Sequence, residues 1–108
     1  MEKCIVVEGR SDKLKIAPLF AEPVKILCTN GTISEDDLID LIDNYVHDEL
    51  VTMFDMDKNG EKLRKLMKRV YPEAKQLTIP KEYIEVAETP TPILRRLLQQ
   101  AKFLIKEG

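Results

Sequence analysis

Apolar residues fall along this chain in short unbroken runs, separated by longer stretches in which they recur every three or four positions. Cys4-Ile5-Val6-Val7 is continuous and β-branched, the pattern of a strand buried on both faces of a parallel sheet. Glu8-Gly9-Arg10-Ser11-Asp12 ends it, with Ser11 placed to cap a short helix through Leu14 and Ile16. Pro18 should stop that helix, because the residue before a proline avoids the α region. Val24–Cys28 reads as a second strand and Thr29-Asn30-Gly31-Thr32 as a turn, Gly31 supplying positive φ. Ser34 then caps a helix, with Ile33 and Leu38 at the staple positions. Its apolar stripe is Leu38, Ile39, Leu41, Ile42, Tyr45 and Val46.

Leu50–Phe54 is the third strand, ending in Asp55-Met56-Asp57-Lys58-Asn59-Gly60. A helix from Gly60 to Val70 turns Leu63, Leu66, Met67 and Val70 inward. Gln76–Ile79 is a short fourth strand before Pro80. Residues 80–90 are irregular, with a strand expected at Tyr83–Val86. A last helix starts near Thr91 and carries apolar residues as far as Ile105. Strand–helix alternation of this kind predicts an α/β fold. The expected form is a Rossmann-like three-layer sandwich, a four-stranded mainly parallel sheet of order 2-1-3-4 flanked by helices. Ligands in such folds sit outside the carboxyl ends of the strands.

Composition narrows the class. The chain has 108 residues, 44% hydrophobic and 33% charged, with a formal charge of −2. That suits one domain with its own core. No apolar run approaches the ~20 residues of a membrane span, and the N-terminus lacks a signal-peptide pattern, so a cytoplasmic location is expected. Cys4 and Cys28 should lie at opposite ends of their strands, roughly 13 Å apart and too far to pair. The small net charge hides unevenness. Residues 34–49 carry seven carboxylates and no Lys or Arg, whereas residues 58–69 carry six cations and only Glu61. Such runs are ordinarily solvated helix faces, but a local basic face can also meet phosphate.

Three carboxylates are expected to converge. Glu8 directly follows the first strand, Asp55 the third, and Asp57 lies two residues on. With those strands adjacent, all three face one crevice, where mutual repulsion calls for a cation. Oxygen-only ligands suit magnesium or manganese. An isolated D-x-D usually just caps a helix or shapes a turn; the joint placement is what raises the functional reading. Residues 55–60 also match the first half of an EF-hand loop, but its twelfth position would be Leu66 where a bidentate Glu is required. No P-loop pattern occurs, and His47 falls at the far end of the third strand from the carboxylates, against a Ser-His-Asp triad.

Val7-Glu8-Gly9-Arg10-Ser11-Asp12, Thr29-Asn30-Gly31 and Phe54-Asp55-Met56-Asp57-Lys58-Asn59-Gly60-Glu61-Lys62-Leu63-Arg64-Lys65 together resemble the TOPRIM domain. That domain is shared by topoisomerases, bacterial primases, OLD-type nucleases and recombination-repair proteins. The likeness is greatest to the ribonucleases that mature ribosomal RNA precursors. It implies a TOPRIM core over residues 1–80, with residues 81–108 an extension whose helix packs on that core.

The resemblance also implies roles. Glu8 would be the general acid or base and a metal ligand, and Asp55 and Asp57 the magnesium-binding pair. Gly9 and Gly60, with Gly31, would support the backbone around the site, and Asp12 and Asn30 would stand behind it. Arg10, Lys58, Lys62 and Arg64 are placed to meet phosphate oxygens. Tyr45, Tyr71 and Tyr83 are expected away from the strand ends, so no topoisomerase-like nucleophile is assigned. The expected function is magnesium-dependent phosphoryl transfer on the phosphodiesters of RNA or DNA by a small nuclease-like protein of the RNA-processing type. The alternatives are a non-catalytic nucleic-acid-binding or accessory subunit, and a domain acting on a small phosphorylated molecule. A homodimer or a larger protein partner is open through the last helix, although its apolar face is expected to cover the sheet.

Overall fold

A computed structural model describes residues 2–45 and 47–107. Among them the chain forms β1 (Lys3–Val7), α1 (Arg10–Ile16), β2 (Lys25–Cys28), α2 (Glu35–Asp43), β3 (Glu49–Phe54), α3 (Lys58–Val70), β4 (Lys75–Thr78) and α4 (Thr91–Gln100). The strands make one parallel sheet in the order β2-β1-β3-β4, the order the alternation predicts.

Side chains alternate across that sheet with period two. Ile5, Val7, Val51, Met53 and Leu77 face a core completed by Ile16 of α1, Leu94 and Leu98 of α4, Val86 and Phe103. Cys4, Val6, Leu50 and Phe54 face the other way, against Leu38 and Ile42 of α2 and Leu63 and Met67 of α3. β1 and β3 are thus covered on both sides, which is why their sequences read as unbroken apolar runs. α4 covers the sheet face over β4, as its stripe suggests.

Several element ends differ from the sequence expectation. Ser11 does not cap α1: Gly9 does, and Asp12 reaches back to accept the Gly9 N–H at 3.1 Å, so the helix starts earlier. A 3-10 turn at Ala17–Leu19 follows, with Pro18 inside it. α2 ends at Asp43 rather than running through Tyr45; Val46 lies outside the described residues. Tyr45 instead sits under the Lys25 ammonium, 4.3 Å from its ring centre. Ser34 does cap α2, accepting from the Asp37 N–H at 3.1 Å.

α3 starts two residues before the expected Gly60, because the Asp57 carboxylate caps it. α4 stops at Gln100, since Lys102 turns to φ 70°. Phe103 to Lys106 leave the helix and dock beside Leu19–Ala21, with Ile105 paired to Phe20. The strand expected at Tyr83–Val86 is absent; 3-10 turns flank Ile84 there. In register Cys28 is level with Val7, so the cysteines are three rather than four positions apart, about 10 Å along the strands. Both are free thiols, and burial pushes Cys4 up to about 11.

Candidate metal centre

Adjacent parallel strands β1 and β3 deliver Glu8 and Asp55 to one rim. The next turn brings Asp57 to the same place, and ligand oxygens of the three lie within 4.8 Å of one another. The local folding is tight. Glu8 is 8% exposed; its Oε2 accepts the Asp55 N–H at 2.6 Å and its Oε1 accepts from Asn59 Nδ2 at 2.8 Å. Asp55, 9% exposed, is fixed on three sides. Its N–H goes to Glu8, its carbonyl accepts from Arg64 Nη1 at 2.8 Å, and its Oδ1 accepts the Val86 N–H at 2.8 Å. Asp57 is exposed, and its Oδ1 accepts the Gly60 N–H at 2.8 Å. The ordinary role of a D-x-D aspartate, capping a helix, is therefore present alongside the convergence.

Gly60 has a steric reason to be glycine. A Cβ there would stand 1.8 Å from the Asp55 carbonyl oxygen, so the first turn of α3 closes on Asp55 only without a side chain. Gly31 takes φ 95° and Asn30 φ 60° in the turn after β2. The Asn30 N–H donates to the Glu8 carbonyl at 2.7 Å. Gly9 differs from the expectation for it: its φ is −142° and an added Cβ would meet only Asp12 Oδ2, at 4.0 Å.

Electrostatics mark Asp55. Burial pushes its carboxyl up from the ordinary 3.8 to about 7, opposed by the Val86 N–H and reinforced by the charges of Asp12, Glu8 and Asp57. Asp12 is also raised, by burial first, with Glu8 and Glu85 adding to the rise. These groups form an oxygen-only donor set, and each carboxylate oxygen that already accepts a hydrogen bond keeps a second lone-pair direction. Asp55 Oδ2 and Asp57 Oδ2 have no protein donor among the described residues. An octahedral ion with ~2.1 Å bonds holds its oxygens about 3 to 4.2 Å apart. The trio, with oxygens within 4.8 Å of one another, comes near those spacings and leaves the rest of the shell to water.

The remaining predicted residues divide. Arg10, Asp12, Asn30 and Gly31 line a crevice of about 300 Å³ with Glu8 and Asp55. Lys58 and Arg64 line another, of about 590 Å³, with Asp57. Lys62 lines neither; it is exposed on α3. Sequence reasoning missed Asn59, although it lies inside the motif, because only the fold shows that it holds Glu8. It also missed the strap at residues 84–87. There the Met56 N–H donates to the Ile84 carbonyl at 2.6 Å, Val86 holds Asp55, and Glu85 and Ala87 line the crevice.

The chain matches the Toprim-like family over residues 5–88, a span that takes in the strap and stops before α4. YusF, an uncharacterized protein of Bacillus subtilis (strain 168), is 43% identical over 101 residues, covering 94% of this chain and 69% of that one. A solved structure of a small TOPRIM domain protein from Bacillus stearothermophilus is 45% identical, with a TM-score of 0.91. That match covers 98% of this chain and 90% of the other. The fold, the rim and these likenesses agree: the chain belongs to the Toprim-like family.

Proposed function

We propose that the protein is a magnesium-dependent phosphodiester hydrolase acting on nucleic acid, a small nuclease of the kind used in RNA processing. The carrying observation is the approach of Glu8, Asp55 and Asp57 ligand oxygens to within 4.8 Å on the carboxyl edge of a parallel sheet. Mg²⁺, or Mn²⁺, held by these residues would polarise a non-bridging phosphate oxygen and lower the pKa of a bound water. Glu8 receives the proton of the attacking water. Its carboxylate is oriented by the Asp55 and Asn59 donors, so it needs no rearrangement to do so. The water oxygen bonds to phosphorus, the ester P–O bond on the opposite side breaks, and the departing oxygen takes a proton from solvent. Lys58 and Arg64 flank Asp57 and neutralise phosphate charge.

The test is turnover of structured RNA and single-stranded DNA by purified protein with magnesium or manganese. Cleavage should be lost in Glu8→Gln and Asp57→Asn. Both variants keep the local fold, since Asn caps helices as well as Asp and Asn59 can turn its amide to suit Gln. Cleavage that survives in both, or no cleavage of any nucleic acid by the unaltered protein, refutes the reading.

A further inference from the structure

The acidic rim has two unlike sides. Towards α1, the crevice beside Glu8 and Asp55 also holds Asp12 and Glu85, with Arg10 as its single cation. Towards β4, the crevice beside Asp57 holds Lys58, Arg64 and Lys81, and its second carboxylate, Glu61, lies 3.4 Å from the Lys65 ammonium. This second crevice does not end there. Met56 and Lys81 also line a groove of about 570 Å³ that runs on between β4 and α4. The groove has no carboxylate in its walls; its charged residues are Lys81 and Arg96. Both are exposed, and neither makes an ion pair among the described residues.

α4 explains the groove's lining. Leu94, Leu98 and Ala101 form the face buried on the sheet. Ile93, Arg96, Leu97 and Gln100 follow the i, i+3, i+4, i+7 spacing of a second face, and that face borders the groove. Its lining includes Ile79, Pro80 and Leu97, so an apolar surface lies beside the two cations. A nucleotide offers the same pairing of chemistries: charge for the cations, and an unstacked base for the apolar lining. A volume in the range of small-ligand clefts, ~300–1,000 Å³, admits one or two splayed nucleotides and not a duplex.

We propose that the β4–α4 groove is a binding channel for single-stranded nucleic acid leading to the acidic rim, with Lys81 and Arg96 as its phosphate contacts. It rests on the nucleic-acid reading above and adds the strand's path and form. The strand lies on the β4 side, because Asp12 and Glu85 add negative charge to the α1 side beyond the metal ligands themselves. The four groove residues on α4 lie outside the span that matches the family, whereas Lys81 lies inside it.

The experiment measures anisotropy of short fluorescein-labelled oligouridylate and oligothymidylate, and of a labelled duplex, across a salt series. Lys81→Glu/Arg96→Glu is compared with the charge-matched Lys13→Glu/Lys106→Glu, whose residues lie outside groove and crevices. The groove variant should bind single strands at least tenfold more weakly. Its log–log salt slope should be shallower by about 1.4, for two contacts at ~0.7 each. The control should stay within twofold of the unaltered protein. Equal binding by groove variant and control overturns the channel while leaving the hydrolase reading standing, as does a preference for duplex. A groove variant that changes only the mass seen by light scattering assigns the groove to a second copy and overturns it too. Unaltered protein that binds no nucleic acid sinks the channel and the hydrolase reading together.

Discussion

Asp55→Asn should make the metal-free protein more stable and insensitive to metal. The Asp55 carboxyl is raised from 3.8 to about 7, chiefly by burial. The folded state therefore holds this proton more tightly than the unfolded chain. Below about pH 4 both states are protonated and the group contributes nothing. Between pH 4 and 7 the unfolded chain has lost the proton while the folded one keeps it, so stability falls as pH rises, by up to ~1.4 kcal/mol per unit. Above pH 7 the whole cost is present, at most about 4 kcal/mol and, after relaxation and water access, on the order of 2 kcal/mol. Asparagine keeps the Oδ1 that accepts the Val86 N–H and removes the charge, and its amide N–H can point at the neighbouring carboxylates.

Urea unfolding of both proteins in chelator should show the variant ahead by roughly 2 kcal/mol at pH 8, with the gap closing towards pH 4. A saturating divalent ion reverses the order, since ~100-fold excess over Kd adds about 2.7 kcal/mol to the unaltered protein alone. A variant no more stable than the unaltered protein at pH 8, or a gap that ignores pH, refutes the argument that this side chain is held against its own charge.

Gly60→Ala should destabilise by roughly 2–3 kcal/mol in chemical unfolding, because the 1.8 Å approach to the Asp55 carbonyl outweighs the ~1 kcal/mol alanine normally gains in a helix; equal or greater stability contradicts the close packing. Ile84 is half exposed, with φ 62° and ψ −55°, and its neighbours close a 2.6 Å Glu85 N–H to Tyr83 carbonyl bond, so it centres a strained γ-turn. Ile84→Gly should therefore raise the melting temperature by a few degrees, relief of ~1–3 kcal/mol exceeding the ~0.5–1 kcal/mol entropic cost of glycine; a lower melting temperature refutes the strain. Asp57→Ala should cost about 1 kcal/mol through loss of the α3 cap, whereas Asp57→Asn should cost almost nothing, and both should lose stabilisation by magnesium. Thermal scans with and without magnesium separate the two roles, and a metal response retained in Asp57→Asn removes that residue from the ligand set.

The sheet was legible because β1 and β3 are buried on both faces and their sequences say so without a break. Strand alternation alone puts Glu8 and Asp55 on one rim, and the D-x-D spacing adds Asp57. What lay beyond reach was whatever depends on backbone groups. Val86 N–H and the Ile84 carbonyl hold Asp55 and Met56, and neither interaction requires a particular side chain. A β-branched residue at positive φ also contradicts local preference, so Ile84 read as strand. The end of α4 was hidden for the same reason: Lys102 takes φ 70° where a glycine would have signalled the stop. Asn59 stood in plain view within the motif, but its partner is 51 residues away.

Apart from Lys102 at the end of α4, departures from local rules gather around one residue. A glycine stands inside α3 where alanine would favour the helix, an isoleucine sits at positive φ, and two buried aspartates are held at raised pKa. Gly60 lets α3 close on the Asp55 carbonyl, the strained turn at Ile84 presents the Val86 N–H to Asp55 Oδ1, and Asp12 adds to the negative field there. Each costs stability, and elsewhere the sheet and its two cores follow propensity and pattern closely. Clustered costs of this kind are what the proposed metal site would require, since strained and destabilised positions gather where a chain holds a ligand. The costs also share a direction. Each fixes the Asp55 carboxyl or adds negative charge around it, which together with burial disfavours its ionised form, and a bound cation relieves that cost. Stability and metal affinity at this rim should then trade against each other in every variant that loosens Asp55.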